Sequence, residues 1–130
     1  MKMYSKLLPA LLLLNLVVPP VDADEPPENG PYVEYYENGQ KMSEGHYKNG
    51  KEEGLQTTWY ENGQKWSENH YKNGERDGLT TRWRENGKKQ SETHFNNGKP
   101  DGLGTTWDQD GQKTMEIHYK DGEEVSRKEF

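Results

Sequence analysis

The sequence predicts an all-β protein, an elongated antiparallel meander of repeated β-hairpins in about four units of 24 residues. Three observations carry that expectation. Asn-Gly or Asp-Gly pairs begin at Asn38, Asn49, Asn62, Asn73, Asn86, Asn97, Asp110 and Asp121, at intervals alternating between 11 and 13 residues. Three columns recur in step: Tyr35, Trp59, Trp83 and Trp107; Glu44, Glu68, Glu92 and Glu116; His46, His70, His94 and His118. The segments between turns alternate with period two, and none outside the N-terminal leader has a 3.6-residue apolar period. Two turns per unit with fixed columns between them mark a repeat whose units bury their apolar faces against their neighbours.

Ahead of the repeats, Lys2 and Lys6 precede an apolar run from Leu7 to Val18, and Val21-Asp22-Ala23 places small residues where a signal peptidase reads. Residues 1–23 are therefore expected to be a secretory signal peptide cut after Ala23. The run is interrupted by Pro9 and Asn15 and falls short of the roughly 20 apolar residues that a spanning helix needs. No stable membrane insertion is expected after cleavage, and the expected address is secreted or periplasmic. Residues 24–31 are acidic and proline-rich, which reads as a disordered or extended leader, leaving 32–130 as the repeat domain. Cleavage removes two lysines and one aspartate, so the net charge goes from −6 to −7. A domain this acidic is not expected to bind nucleic acid, because phosphate binding needs a concentrated basic surface. The chain has no cysteine, so an oxidising compartment adds no crosslink.

Taken in order, Tyr32 to Tyr36 reads as the first, edge strand. Leu55 to Trp59 and Lys65 to Tyr71 are the two strands of a typical unit. A three-residue loop at Glu61-Asn62-Gly63, a type I turn closed by a left-handed Gly63, pairs Trp59 with Lys65 and Thr57 with Ser67. The same turn at Lys48-Asn49-Gly50 brings Leu55 opposite Ser43. In that register the odd-numbered residues share one face, with Leu55, Leu79, Leu103, Trp59, Trp83, Trp107, Tyr71, Phe95 and Tyr119, and the Glu and His columns take the other. A two-residue type I′ turn would instead mix the tryptophan column with Glu and His, so the gathering of aromatics favours the first register. Glu123 to Phe130 reads as a last, charged edge strand that discourages end-to-end growth. Eight or nine strands at ~4.8 Å make a ribbon about 40 Å long. Only 28% of the chain is hydrophobic, and much of that lies in the leader. That is too little for a thick two-layer core, so Lys stems and Thr methyls, a second copy in a homo-oligomer, or a partner must cover the rest.

The units Tyr-Glu-Asn-Gly-Gln-Lys, Ser-Glu, His-Tyr-Lys-Asn-Gly, Gly-Leu and Thr-Thr-Trp, running from about Tyr35 to Gly122, resemble the bacterial MORN repeat variant of YwqK-type antitoxins. The resemblance implies a non-catalytic hairpin array that binds a partner, and it brings no catalytic residue with it. On geometry, neighbouring histidines two strands apart are ~9.6 Å from each other, too far to share one ion at ~2.1 Å. Glu68 and His70, ~6.6 Å apart along one strand, make at best a weak two-ligand site. No activated nucleophile, phosphate loop or paired-carboxylate cleft is evident. The expectation is therefore no enzyme, no metal and no cofactor. Lys41, Lys65, Lys89 and Lys113 read as a surface charge ladder with the glutamates. Trp59, Trp83, Trp107, Tyr71, Phe95 and Tyr119 are the candidate surface for a protein partner, which is a toxin if the chain acts as an antitoxin or immunity protein. The same aromatic columns could instead stack on sugar rings, which makes a carbohydrate or cell-envelope-binding module the alternative.

Overall fold

The computed structural model describes Tyr4–Lys6 and residues 25–130. The expected cleavage point after Ala23 and the apolar run before it lie outside the described residues. The strands are β1 (Tyr4–Lys6), β2 (Gly30–Tyr35), β3 (Lys41–Lys48), β4 (Lys51–Glu52), β5 (Gly54–Trp59) and β6 (Lys65–Lys72). They continue as β7 (Glu75–Arg76), β8 (Gly78–Trp83), β9 (Lys89–Asn96), β10 (Lys99–Trp107), β11 (Lys113–Lys120) and β12 (Glu123–Glu129). They form one antiparallel sheet that follows chain order without a crossover, with the two-residue β4 and β7 pairing onto β3 and β6. No helix occurs among the described residues, so the protein is the all-β hairpin meander that the repeat demands. Two details differ at the start. The second strand begins at Gly30, and it is flanked by β1, with Ser5 opposite Glu34, so Tyr32–Tyr36 does not form the edge.

The two turns of a unit have different geometries. At Glu61-Asn62-Gly63 the Gly63 amide donates to the Tyr60 carbonyl and the Tyr60 amide to the Gln64 carbonyl, with Gly63 at φ 84°. This is the expected three-residue loop, and Trp59 stands opposite Lys65. One residue further on the register slips, because Thr58 pairs with Ser67 and leaves Trp66 as an extra residue, a β-bulge. The same slip recurs at Tyr35, Trp83 and Trp107. At Asn73-Gly74 both residues have positive φ, 51° and 81°, and Lys72 pairs with Glu75. That is a two-residue type I′ turn where a three-residue loop was expected, and Asn49-Gly50 is built alike. Asn and Gly supply it because they adopt the left-handed region at less cost than most residues, and Asp121 does the same in the last turn.

These two features overturn the expected sharing of faces. Thr57 lies opposite Glu68 of β6 instead of Ser67, and Ser43 lies opposite Thr58 of β5 instead of Leu55. Alternation then puts Trp59, Trp83 and Trp107 on one face with the Leu, Glu and His columns, hereafter the tryptophan face. Tyr71, Phe95 and Tyr119 go to the other, with Ser67, Asn69 and Thr80. The expected single aromatic face is thus divided between both sides of the sheet.

With no second layer, most of the buried positions are mid-strand and small. Tyr32, Val33 and Ile117 are the buried apolar residues, whereas Ser43, Thr57, Ser67, Asn69, Thr80, Thr81 and Thr105 are buried polar ones. Their hydroxyls and amides satisfy one another: Thr58 and Ser67 hydroxyls lie 2.6 Å apart, and Thr80 Oγ1 donates to Asn69 Oδ1 at 3.2 Å. Neighbouring units are also bonded along both edges of the ribbon. On one edge the amides of Gly50, Gly74, Gly98 and Gly122 donate to the carbonyls of Glu28, Glu52, Arg76 and Pro100. On the other, the Tyr36 and Tyr60 hydroxyls donate to the carbonyls of Trp59 and Trp83, and Arg84 Nη2 to that of Trp107.

Candidate functional site

On the tryptophan face, the bulge decides what each lysine can reach. Residues three apart on a regular strand point to opposite sides, but the extra residue returns them to one side, so Lys41 pairs with Glu44, Lys65 with Glu68, Lys89 with Glu92 and Lys113 with Glu116. Each ammonium also sits over an aromatic ring of the next unit. Lys41 lies 5.6 Å from the centroid of Trp59, Lys65 5.7 Å from that of Trp83, and Lys89 5.7 Å from that of Trp107. Lys113 closes the series over Phe130 at 5.4 Å. The tryptophans are half-buried, each with a cation on its face.

The histidines share this face and are exposed. His70 Nδ1 is 2.9 Å from the Leu79 carbonyl oxygen, and His94 Nδ1 is 3.3 Å from that of Leu103. A carbonyl can only accept, so Nδ1 donates in both rings. The side chains of His70 and His94 lie against the Gly-Leu steps at Gly78 and Gly102. A Cβ on Gly78 would stand 3.3 Å from His70 Cβ, and Gly78 itself has φ 112°. Among the described residues, no three His, Cys, Asp or Glu side chains gather in a metal-binding group.

The opposite face holds Tyr71, Phe95 and Tyr119, all half-buried. The Arg76 guanidinium lies 5.3 Å from the Phe95 centroid. Gly104 leaves room for Tyr119, because a Cβ there would come within 3.1 Å of the ring. The residues that sequence reasoning passed over also lie here. Tyr60 packs on Trp66 with centroids 6.2 Å apart, and Trp66 is 46% exposed. Burial, then the charge of Glu61, raises the Tyr36 hydroxyl above its ordinary pKa; burial, then Glu85, does the same for Tyr60.

The pairing of Tyr60 with Trp66 does not recur in the other units. At the 24-residue step Thr58, Tyr60 and Trp66 are replaced by Arg82, Arg84 and Gln90, and the aromatic pair gives way to a groove of about 500 Å³. Arg82, Arg84, Gln90, Ser91, Thr106 and Asp108 are among the residues that line it. The signal for it in the sequence is a break in the columns, which a search for matches discards.

The MORN repeat variant family matches the chain at residues 28–49, 52–73, 76–97 and 100–121. Each match begins on the residue whose carbonyl accepts the glycine amide of the following type I′ turn, at Glu28, Glu52, Arg76 and Pro100. Each ends on the left-handed residue of that turn, at Asn49, Asn73, Asn97 and Asp121. No curated protein matches the chain. With four consecutive matches spanning more than half of its length, each in register with the hydrogen-bonded unit, the chain belongs to the MORN repeat variant family.

Proposed function

We propose that this protein is an exported, non-catalytic repeat scaffold that holds a protein partner against its sheet, in its specific form as a toxin-neutralising antitoxin or immunity protein. The observation that carries the reading is the single-layer sheet, which leaves large side chains at both surfaces, with Leu55 48% and Trp66 46% exposed. A standard interface buries ~800 Å² per partner, and two or three units of one face supply that. Half-exposed Tyr and Trp set among polar neighbours are the side chains that anchor such interfaces. The repeat itself argues against catalysis, since equivalent groups stand a whole unit apart and do not converge. Sugar stacking is the weaker reading for Trp59, Trp83 and Trp107, because a lysine already covers each ring. Export is supported by Lys2 and Lys6 ahead of the Leu7 to Val18 run.

The test is retention from a native envelope fraction on the immobilised chain, beside a shortened chain lacking Leu79 to Gly102. One polypeptide held by the full array and held less by the short one is the expected result. Recovery of a glycan polymer without any polypeptide would overturn the reading. The exported protein should begin at Asp24 by mass spectrometry, and an intact 1–23 segment would remove the export claim.

A further inference from the structure

We propose that the groove between β8 and β11, on the face that carries Ser67 and Tyr71, is a carboxylate-binding subsite for an acidic group of a peptide. The peptide class rests on the protein-binding reading above. The first argument is that the arginines exceed what the fold needs. In the preceding unit Tyr60 bonds the Trp83 carbonyl; one unit on, Arg84 makes the equivalent bond to Trp107 with Nη2 alone, at 2.9 Å. Its Nε is buried and has no hydrogen-bond partner in the structure. That atom is closed to solvent, so the donors Arg84 can turn to a ligand are on its terminal nitrogens, of which Nη2 already bonds the Trp107 carbonyl.

The second argument is convergence. Arg82 is exposed, stands opposite Ser91 on β9, and makes no ion pair among the described residues. Gln90 replaces the Trp66 ring and leaves the space open to solvent. The third is charge. Asp108 also lines the groove, but its Oδ1 is held by the amides of Asp110 and Gln112. Two arginines against one aspartate leave a single positive charge, which matches a monoanionic carboxylate better than a dianionic phosphate. Planar guanidinium forks match the two oxygens of a carboxylate, and the Ser91 hydroxyl adds a donor.

The experiment uses the full chain, labelled with ¹⁵N, and short peptides, so it does not need the natural partner. Failure here leaves the scaffold reading standing, and failure of the envelope experiment leaves the groove standing. N-acetyl-Gly-Glu-Gly-amide offers a side-chain carboxylate, and N-acetyl-Gly-Gly-Gly offers a chain terminus. N-acetyl-Gly-Gln-Gly-amide is the neutral control, and inorganic phosphate the competing anion. The expected result is a saturable shift confined to amides around Arg82, Arg84, Ser91 and Thr106 with at least one acidic peptide and none with the control. The tighter of the two identifies the source. Arg82→Gln, an exposed position, should weaken binding about tenfold without altering the rest of the spectrum. Arg84→Lys, which keeps the charge but not the fork, should weaken it as well. Shifts absent or spread over the whole sheet, undiminished binding to Arg82→Gln, or phosphate binding tighter than both acidic peptides would each overturn the proposal.

Discussion

Tyr60 closes a turn through its backbone, packs its ring on Trp66 and donates its hydroxyl to the Trp83 carbonyl of the following unit. Tyr60→Phe keeps the ring and loses the bond, so it should cost about 1 kcal/mol, read as a shift of the denaturant midpoint. The same group contributes to the pH dependence of stability at the alkaline end. Burial lifts the hydroxyls of Tyr36, Tyr47 and Tyr60 above their ordinary 10.0, with nearby glutamates adding to it. Their folded pKa values exceed the unfolded ones, so their contribution is complete below pH 10 and is lost as pH rises through the folded values. Alkaline unfolding should therefore coincide with late phenolate absorbance from these three, and unfolding that is complete before they ionise would contradict it. At the acid end the sign reverses. Lys113 holds Glu116, and Arg127 holds Glu124, below the usual carboxylate value of 4.5 through hydrogen bonds. Their small contribution is present above that value and is lost as pH falls through the folded ones. Trp83→Ala should cost about 2 kcal/mol, below the ~3–5 of a fully buried aromatic, since its ring is only half-buried. Glu92→Ala removes one exposed ion pair and should cost a few tenths of a kcal/mol.

A single inserted residue per hairpin decides which face an entire column occupies. The Asn-Gly spacing made the strands and their ends legible, and Gly63 made its own turn legible, because only a left-handed residue closes a three-residue loop. The bulge was not legible. Its extra residues, Met42, Trp66, Gln90 and Thr114, share no chemistry, so nothing in that column announces the slip that separates Trp59 from Tyr71. The two Asn-Gly pairs of a unit also look alike in sequence and differ in the fold. Asn73 is itself left-handed, whereas Asn62 uses its side chain, accepting from the Gln64 amide at 2.9 Å and donating to the Glu85 carbonyl at 3.2 Å. Asn73→Gly should therefore be nearly neutral and Asn73→Ala should cost about 1 kcal/mol. At position 62 both Gly and Ala should cost about that much, because each loses the side-chain bonds. Melting temperatures of the four variants check this, and equal effects at the two sites would mean equal turns. The groove at Arg82 and Arg84 was hidden for the opposite reason, since it is written where the repeat fails.

The sheet follows chain order, so each unit touches only its neighbours and stability accumulates unit by unit. Excising Leu79 to Gly102 joins Gly78 to Leu103 and offers β6 the strand that normally follows β9. The Gly122 amide then meets the Arg76 carbonyl in place of that of Pro100. The shortened chain should fold, with the strand signature retained in circular dichroism and a lower melting temperature; a chain that is unfolded at all temperatures would show that the units are not interchangeable. The same order puts β2 near one end of the stack and β12 at the other. A pull on the two ends runs along the hydrogen bonds between strands, so it loads one strand pair at a time instead of shearing many rungs together. The array should yield to low force in steps, each released unit of 24 residues adding up to about 80 Å of contour length, so that an array held at both ends would lengthen like a tether, losing strands from the outermost units inward.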